Sequence, residues 1–189
     1  YGIPLWNHFA LGGSPFYTMI VGSPLNPLNF IFLLFPQSEA SRALAVYLWV
    51  HYLLFYAAAY LLLRAYRCQR AIATIMAASL ALSGYLLSAH SLGHLLASSV
   101  AVPWYFFFQR KYFSEKRFYF LLLASAALAW PIYAGDPQFS YMLGLFSGCF
   151  FLYRKKFKEW GMLGLMALLA SAAHLHAAVI HFVIHRGLR

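Results

Sequence analysis

Apolar residues along this chain come in long runs separated by short polar clusters, and the run lengths are those of helices. Stretches of about 17–25 apolar residues match the thickness of a bilayer core at 1.5 Å of rise per residue. The chain offers Ala43–Leu63, Ala71–Ala89, Leu92–Phe108, Phe118–Ala134, Pro137–Tyr153 and Met162–Ile184. Pro103 interrupts the third run and predicts a kink there. A further stretch, Leu28–Phe35, is too short to cross and predicts an interfacial or re-entrant segment. The expected fold is all-α: a polytopic transmembrane helix bundle of about six spans plus an exterior amphipathic or re-entrant segment. Residues 1–36 form the exterior loop with that segment, and 37–189 the helical region.

Composition supports the same class. Of 189 residues, 63% are hydrophobic and 10% charged, against about 45–50% and about 25% in an ordinary soluble domain. Two cysteines, Cys68 and Cys149, exclude a disulfide framework, and neither has a second thiol at metal or redox spacing. The net charge of +10 suggests nucleic acid only until the charges are placed. Alternate loops hold Arg64, Arg67 and Arg70, then Arg110, Lys111, Lys116 and Arg117, then Arg154, Lys155, Lys156 and Lys158. Those are eleven of the fourteen basic residues, so the charge is a topology signal that puts these loops in the cytoplasm. Nucleic acid is thereby excluded as the partner, and anionic membrane lipid is the expected contact. The first loop, the His90 turn and the Gly135 turn face the exterior. Trp130 and Tyr133 are expected near the exterior boundary, and Trp104, Tyr105, Tyr153 and Trp160 near the other.

Candidate chemistry lies in polar residues within spans and in the exterior loops. On the last helix Gly164, Ala167, Ser171, His174, Ala178, His181 and His185 recur at spacings of three and four, forming one stripe; His176 falls off it. Such a stripe reads first as a packing seam, and alternatively as a cavity wall. His90 and His94, four apart, and His181 and His185 have the spacing of a metal-binding or bis-histidine haem pair, but boundary histidines solvated by water and headgroups have it too. His51, alone in the first span, reads as a satisfied interhelical residue. Ala73, Ala77 and Ala81, with Ser79, Ser83 and Gly84, predict a close-packing face. Tyr1–Asn29 is rich in glycine, proline and aromatic residues and predicts a rigid segment folded onto the outer face, as a wall for a lipid-linked substrate or as a structural plug. Asp136, in Gly135-Asp136-Pro137-Gln138, is a candidate general base or ligand for a divalent metal ion. Asp before Pro at a helix start is also the pattern of an N-cap, which is the favoured reading.

Pro4-Leu5-Trp6-Asn7, Gly12-Gly13-Ser14-Pro15-Phe16, Pro27-Leu28-Asn29 running to Pro36, Leu82-Ser83-Gly84-Tyr85 and Gly135-Asp136-Pro137-Gln138 occur in an order that resembles the YfhO-like bacterial membrane proteins. That family is similar to the GT-C class of polytopic glycosyltransferases. The resemblance implies a multi-pass protein of the bacterial inner membrane that uses a polyprenyl-phosphate-linked sugar donor at the exterior face, with a divalent metal ion as the possible cofactor. Asp136 is then the candidate catalytic residue. Asn7 and Gln138 are candidates to orient sugar hydroxyls, and Arg42, His90 and His94 to neutralise the phosphate. The chain departs from the family in two places. No acid occurs between Tyr1 and Ser38, where the GT-C catalytic acid is expected shortly after a first span, and Asp136 stands where the family has His. Members of that family are much longer, with many more spans, so the resemblance implies an amino-terminal portion of a longer chain, whose remainder is its expected partner. The alternative class is a non-catalytic transporter, flippase half or scaffold subunit, in which the histidine stripe lines a water path.

Overall fold

The computed structural model describes residues 6–7, 14–15 and 26–187, with side chains over 26–172. The architecture is all-α. A two-residue antiparallel pairing of β1 (Trp6–Asn7) with β2 (Ser14–Pro15) precedes a 3₁₀ segment, Pro27–Leu34. The helices follow as α1 (Ala40–Ala65), α2 (Arg70–Ala81), α3 (Gly84–Ala89), α4 (Gly93–Ser99), α5 (Ala101–Glu115), α6 (Phe118–Ala134), α7 (Pro137–Tyr153) and α8 (Phe157–Gly187). Two stretches among the described residues are long and apolar enough to cross a membrane: Gln37–Ala65, of 29 residues, and Arg70–Ala89, of 20. Helix α6 is as apolar but has 17 residues.

Two of the expected spans are broken, each for a local reason. Arg70–Ala89 is interrupted at Leu82–Ser83, where Ser83 takes an extended conformation ahead of Gly84. Ala73, Ala77 and Ala81 are buried as a packing face, and α2 lies against α1. Ser83 and Gly84, expected to extend that face, instead end it, because a Ser-Gly pair is a weak point in a helix. Between α4 and α5 the break falls at Val100. Pro103 has no N–H to offer the Ser99 carbonyl four residues back, and its ring crowds that carbonyl, which accounts for the break one turn ahead of it.

Helix α6 forms the centre, with α4, α5, α7 and α8 packed on it, while α1 joins α5 to α2. The main core gathers Tyr105, Leu121, Ala124, Leu128, Phe151 and Leu163. Gly148 lets α7 approach α8, since a Cβ there would sit 3.1 Å from the Trp160 ring. Tyr105, expected at a membrane boundary, is wholly buried. Its hydroxyl hydrogen-bonds Ser147 on α7 and accepts from Gln109 Nε2 at 3.1 Å, so its polar tip finds partners inside the bundle and not in headgroups.

The hairpin ends differ in kind. Gly135, with φ of 95°, closes α6 in a Schellman turn in which Asp136 N–H donates to Pro131 O at 2.8 Å. At the opposite end the left-handed positions are held by cations: Arg67 (φ 65°), Lys116 (φ 56°) and Lys155 (φ 54°). The αL conformation costs a non-glycine residue roughly 1–2 kcal/mol. A positive side chain beside the carbonyl end of a helix recovers about 0.3–1 kcal/mol of that.

Candidate functional site

The candidate residues fall in separate places: Arg42 in the first turn of α1, His90 and His94 at the α3–α4 corner, and Asp136 and Gln138 at the α6–α7 turn. Asn26 caps the 3₁₀ segment: its Oδ1 accepts from Leu28 N–H at 3.0 Å, and its Nδ2 donates to the Tyr47 hydroxyl at 3.4 Å. Both residues are buried. A 3₁₀ helix repeats every three residues, so Leu28 and Ile31 face α1 while Phe30 and Leu33 stay exposed. The Tyr47 ring packs 5.4 Å from Phe32 and 4.2 Å from His51. The His51 Nδ1–H donates to the Tyr47 carbonyl at 2.7 Å, a bond inside its own helix and not the interhelical one expected, and its buried Nε2 has no hydrogen-bond partner.

His90 and His94 do not share a helix face. His90 closes α3 and His94 lies in the first turn of α4, with the Ser91–Leu92 turn between them. The pairing expected from their spacing assumed an unbroken helix. His90 is exposed, its ring 6.1 Å from Tyr52, whose hydroxyl donates to Leu86 O at 3.1 Å. No group of three or more His, Cys, Asp or Glu side chains converges among the described residues. Arg42 is exposed and pairs with Glu39 at 3.2 Å. Asn7 lies in β1 opposite Ser14, its side chain outside the described residues.

Asp136 is the N-cap of α7. Its Oδ1 accepts from Gln138 N–H at 3.1 Å, with Pro137 at the first helical position, so the favoured reading of the motif holds; Gln138 is exposed. A capping carboxylate retains further lone pairs, which leaves the cap compatible with a second role. Replacing Asp136 by Ala is expected to lower stability by about 1 kcal/mol. Asn, which can still accept the N–H, is expected to cost only a few tenths of a kcal/mol. Thermal unfolding of the two variants in detergent checks this, and a loss as large for Asn as for Ala would show that the cap is not what Asp136 contributes.

On the α8 stripe, Gly164, Ala167 and Ser171 line one wall of a cavity of about 340 Å³ with Ile132, Pro137, Ser140 and Tyr141, so the described part of the stripe carries both small-residue packing and a cavity wall. Leu163, Ala167 and Ser171 are buried, and the Ser171 hydroxyl donates back to Ala167 O at 3.0 Å. His174, His176, His181 and His185 have side chains outside the described residues.

Sequence reasoning missed an apolar groove of about 480 Å³ between α1 and the α2–α3 pair. Trp49, Tyr52, Leu53 and Tyr56 form one wall, Ala78, Ala81, Leu82 and Leu87 the other, and His90 lines it beside Tyr52. Trp49, Leu53 and Tyr56 are spaced by four and three, which marks a stripe but not what faces it. The break at Leu82–Ser83 falls on the groove's α2–α3 wall, which Leu82 lines. No family model, curated protein or solved structure matches the chain.

Proposed function

We propose that this chain is a multi-pass protein of the bacterial inner membrane and part of a glycosyltransferase using a polyprenyl-phosphate-linked sugar at the exterior face. The observation that carries the reading is the groove that His90 helps to line: an aromatic and aliphatic channel suits an isoprenoid chain, and an exposed imidazole on its wall suits the phosphate. Its place in a membrane is supported by the outward-facing apolar surface. Only 28% of the most apolar window in Gln37–Ala65 and 22% of that in Arg70–Ala89 is buried, whereas the core helix of a soluble protein hides such a stretch. Helices α6 and α7, at 17 residues each, reach the lower limit for spanning.

In this reading Arg42, His90 and His94 lie near the phosphate, Asn7 and Gln138 serve the sugar, and Asp136 is the candidate base.

The test has two parts. Single cysteines at Ser91 and Lys155 in a variant lacking Cys68 and Cys149 should react with an impermeant maleimide from opposite sides of the membrane. A photoreactive polyprenyl phosphate should crosslink to the α1–α3 groove. Leu87→Trp, which fills the groove, is expected to reduce crosslinking at least tenfold. Labelling of both cysteines from one side, or undiminished crosslinking in Leu87→Trp, would reject the reading.

A further inference from the structure

The end of the bundle opposite His90 holds a second cavity, of about 660 Å³, which the lipid-linked donor does not explain. It lies where the α1–α2, α5–α6 and α7–α8 hairpins meet, and Arg110, Lys116, Arg154 and Lys156 all line it. No carboxylate does. Glu115 is engaged by Lys111 at 2.7 Å and lies 3.9 Å from Arg117, while Glu159 pairs with Lys156 at 3.1 Å. Four cations around one space therefore face one neighbouring acid that is already paired.

The cations are also held in place. The Arg110 guanidinium lies 5.2 Å from the centre of the Tyr66 ring, and its buried Nε has no hydrogen-bond partner. Lys116 Nζ is 5.2 Å from the Phe113 ring and 5.6 Å from that of Tyr112, and Arg154 lies 5.6 Å from Phe150. Aromatic faces stabilise cations and fix their direction without neutralising them. Partial desolvation and the neighbouring Lys156 ammonium together hold the Lys116 amine below the usual lysine range. Four cations that share the single Glu159 carboxylate are costly to bring together, and an anion bearing several acceptor oxygens relieves that cost.

We infer that this cavity is a binding site for a phosphate group, held by Arg110, Lys116 and Lys156 with Arg154 at its edge. The phosphate belongs to an anionic phospholipid headgroup or to a free phosphate in the cytoplasm, and the chemistry of recognition is the same. Because the site sits at the other end of the bundle, it stands or falls apart from the glycosyltransferase reading.

Full-length protein in nanodiscs of phosphatidylcholine, with and without one-fifth phosphatidylglycerol, tests this by native mass spectrometry of retained lipid. A parallel titration with inorganic phosphate in the neutral discs reads thermal stability. The wild type should retain one phosphatidylglycerol or be stabilised by phosphate at millimolar levels, and the arm that responds identifies the source. Lys116→Gly and Arg110→Gln should each weaken that response about tenfold, the loss of roughly one charge-assisted hydrogen bond. Lys116→Gly also relaxes a left-handed backbone, so its stability without ligand should not fall. Lys158→Gln removes an equal charge at the same end without lining the cavity, and should leave the response unchanged. Equal weakening by Lys158→Gln, or no response of the wild type in either arm, overturns the site.

Discussion

Phe151→Ala is expected to destabilise the bundle by about 2–3 kcal/mol. The ring is wholly buried, 5.3 Å from Phe113 of α5 and in contact with the core that α6 and α8 complete. In a bilayer the unfolded chain is already among hydrocarbon, so the usual transfer part of a large-to-small substitution drops out. The cavity part remains, at about 24 cal/mol per Å³ over roughly 100 Å³ of lost ring. Leu145→Ala on the outward face of the same helix is expected to change stability by less than about 0.5 kcal/mol, because Leu145 is half exposed and lipid fills the gap. Equilibrium unfolding of both variants in mixed micelles decides the matter. A cost at Leu145 equal to that at Phe151 would mean that the outward face is packed against protein instead of lipid.

That contrast between inner and outer faces explains what was legible in the sequence. Run length gave the helices: α6 and α7 begin and end where the apolar pattern does. Local motifs gave the Asp136–Pro137 cap and the helix break ahead of Pro103, since both depend on neighbours within four residues. Basic residues of two of the loops also gathered at one end: Arg110, Lys116, Arg154 and Lys156 line one cavity, with Tyr66 from the α1–α2 turn beside them. Yet no sequence pattern distinguishes a lipid-facing leucine from a core leucine when both solvents are apolar, and so the phenylalanines of the core were not separable from those outside. The groove at His90 and the cationic cavity depend on side chains brought together from distant segments. For the groove, the visible trace was Ser83-Gly84, a break that reads equally well as a small-residue face.

Tyr105→Phe is expected to lower stability by about 1–2 kcal/mol, close to the upper range for polar contacts between helices in membranes. The phenol joins Gln109, one turn away on α5, to Ser147 on α7, and all three side chains are buried. Removing the hydroxyl leaves two polar groups to find other partners. Ser147 has an easy substitute, because a helical serine can donate to the carbonyl four residues back, as Ser99, Ser125 and Ser171 all do here. Gln109 has no such option within its helix, so most of the cost falls on its amide. Two consequences separate this account from simple loss of packing. Ser147→Ala alone should cost less than Tyr105→Phe. Tyr105→Phe combined with Gln109→Leu should be less destabilised than the sum of the two single changes, by about 0.5–1 kcal/mol, since the pair is then removed together. Strict additivity in that double-mutant cycle would show that Gln109 draws its stability from the water of the cationic cavity beside it, and not from the phenol.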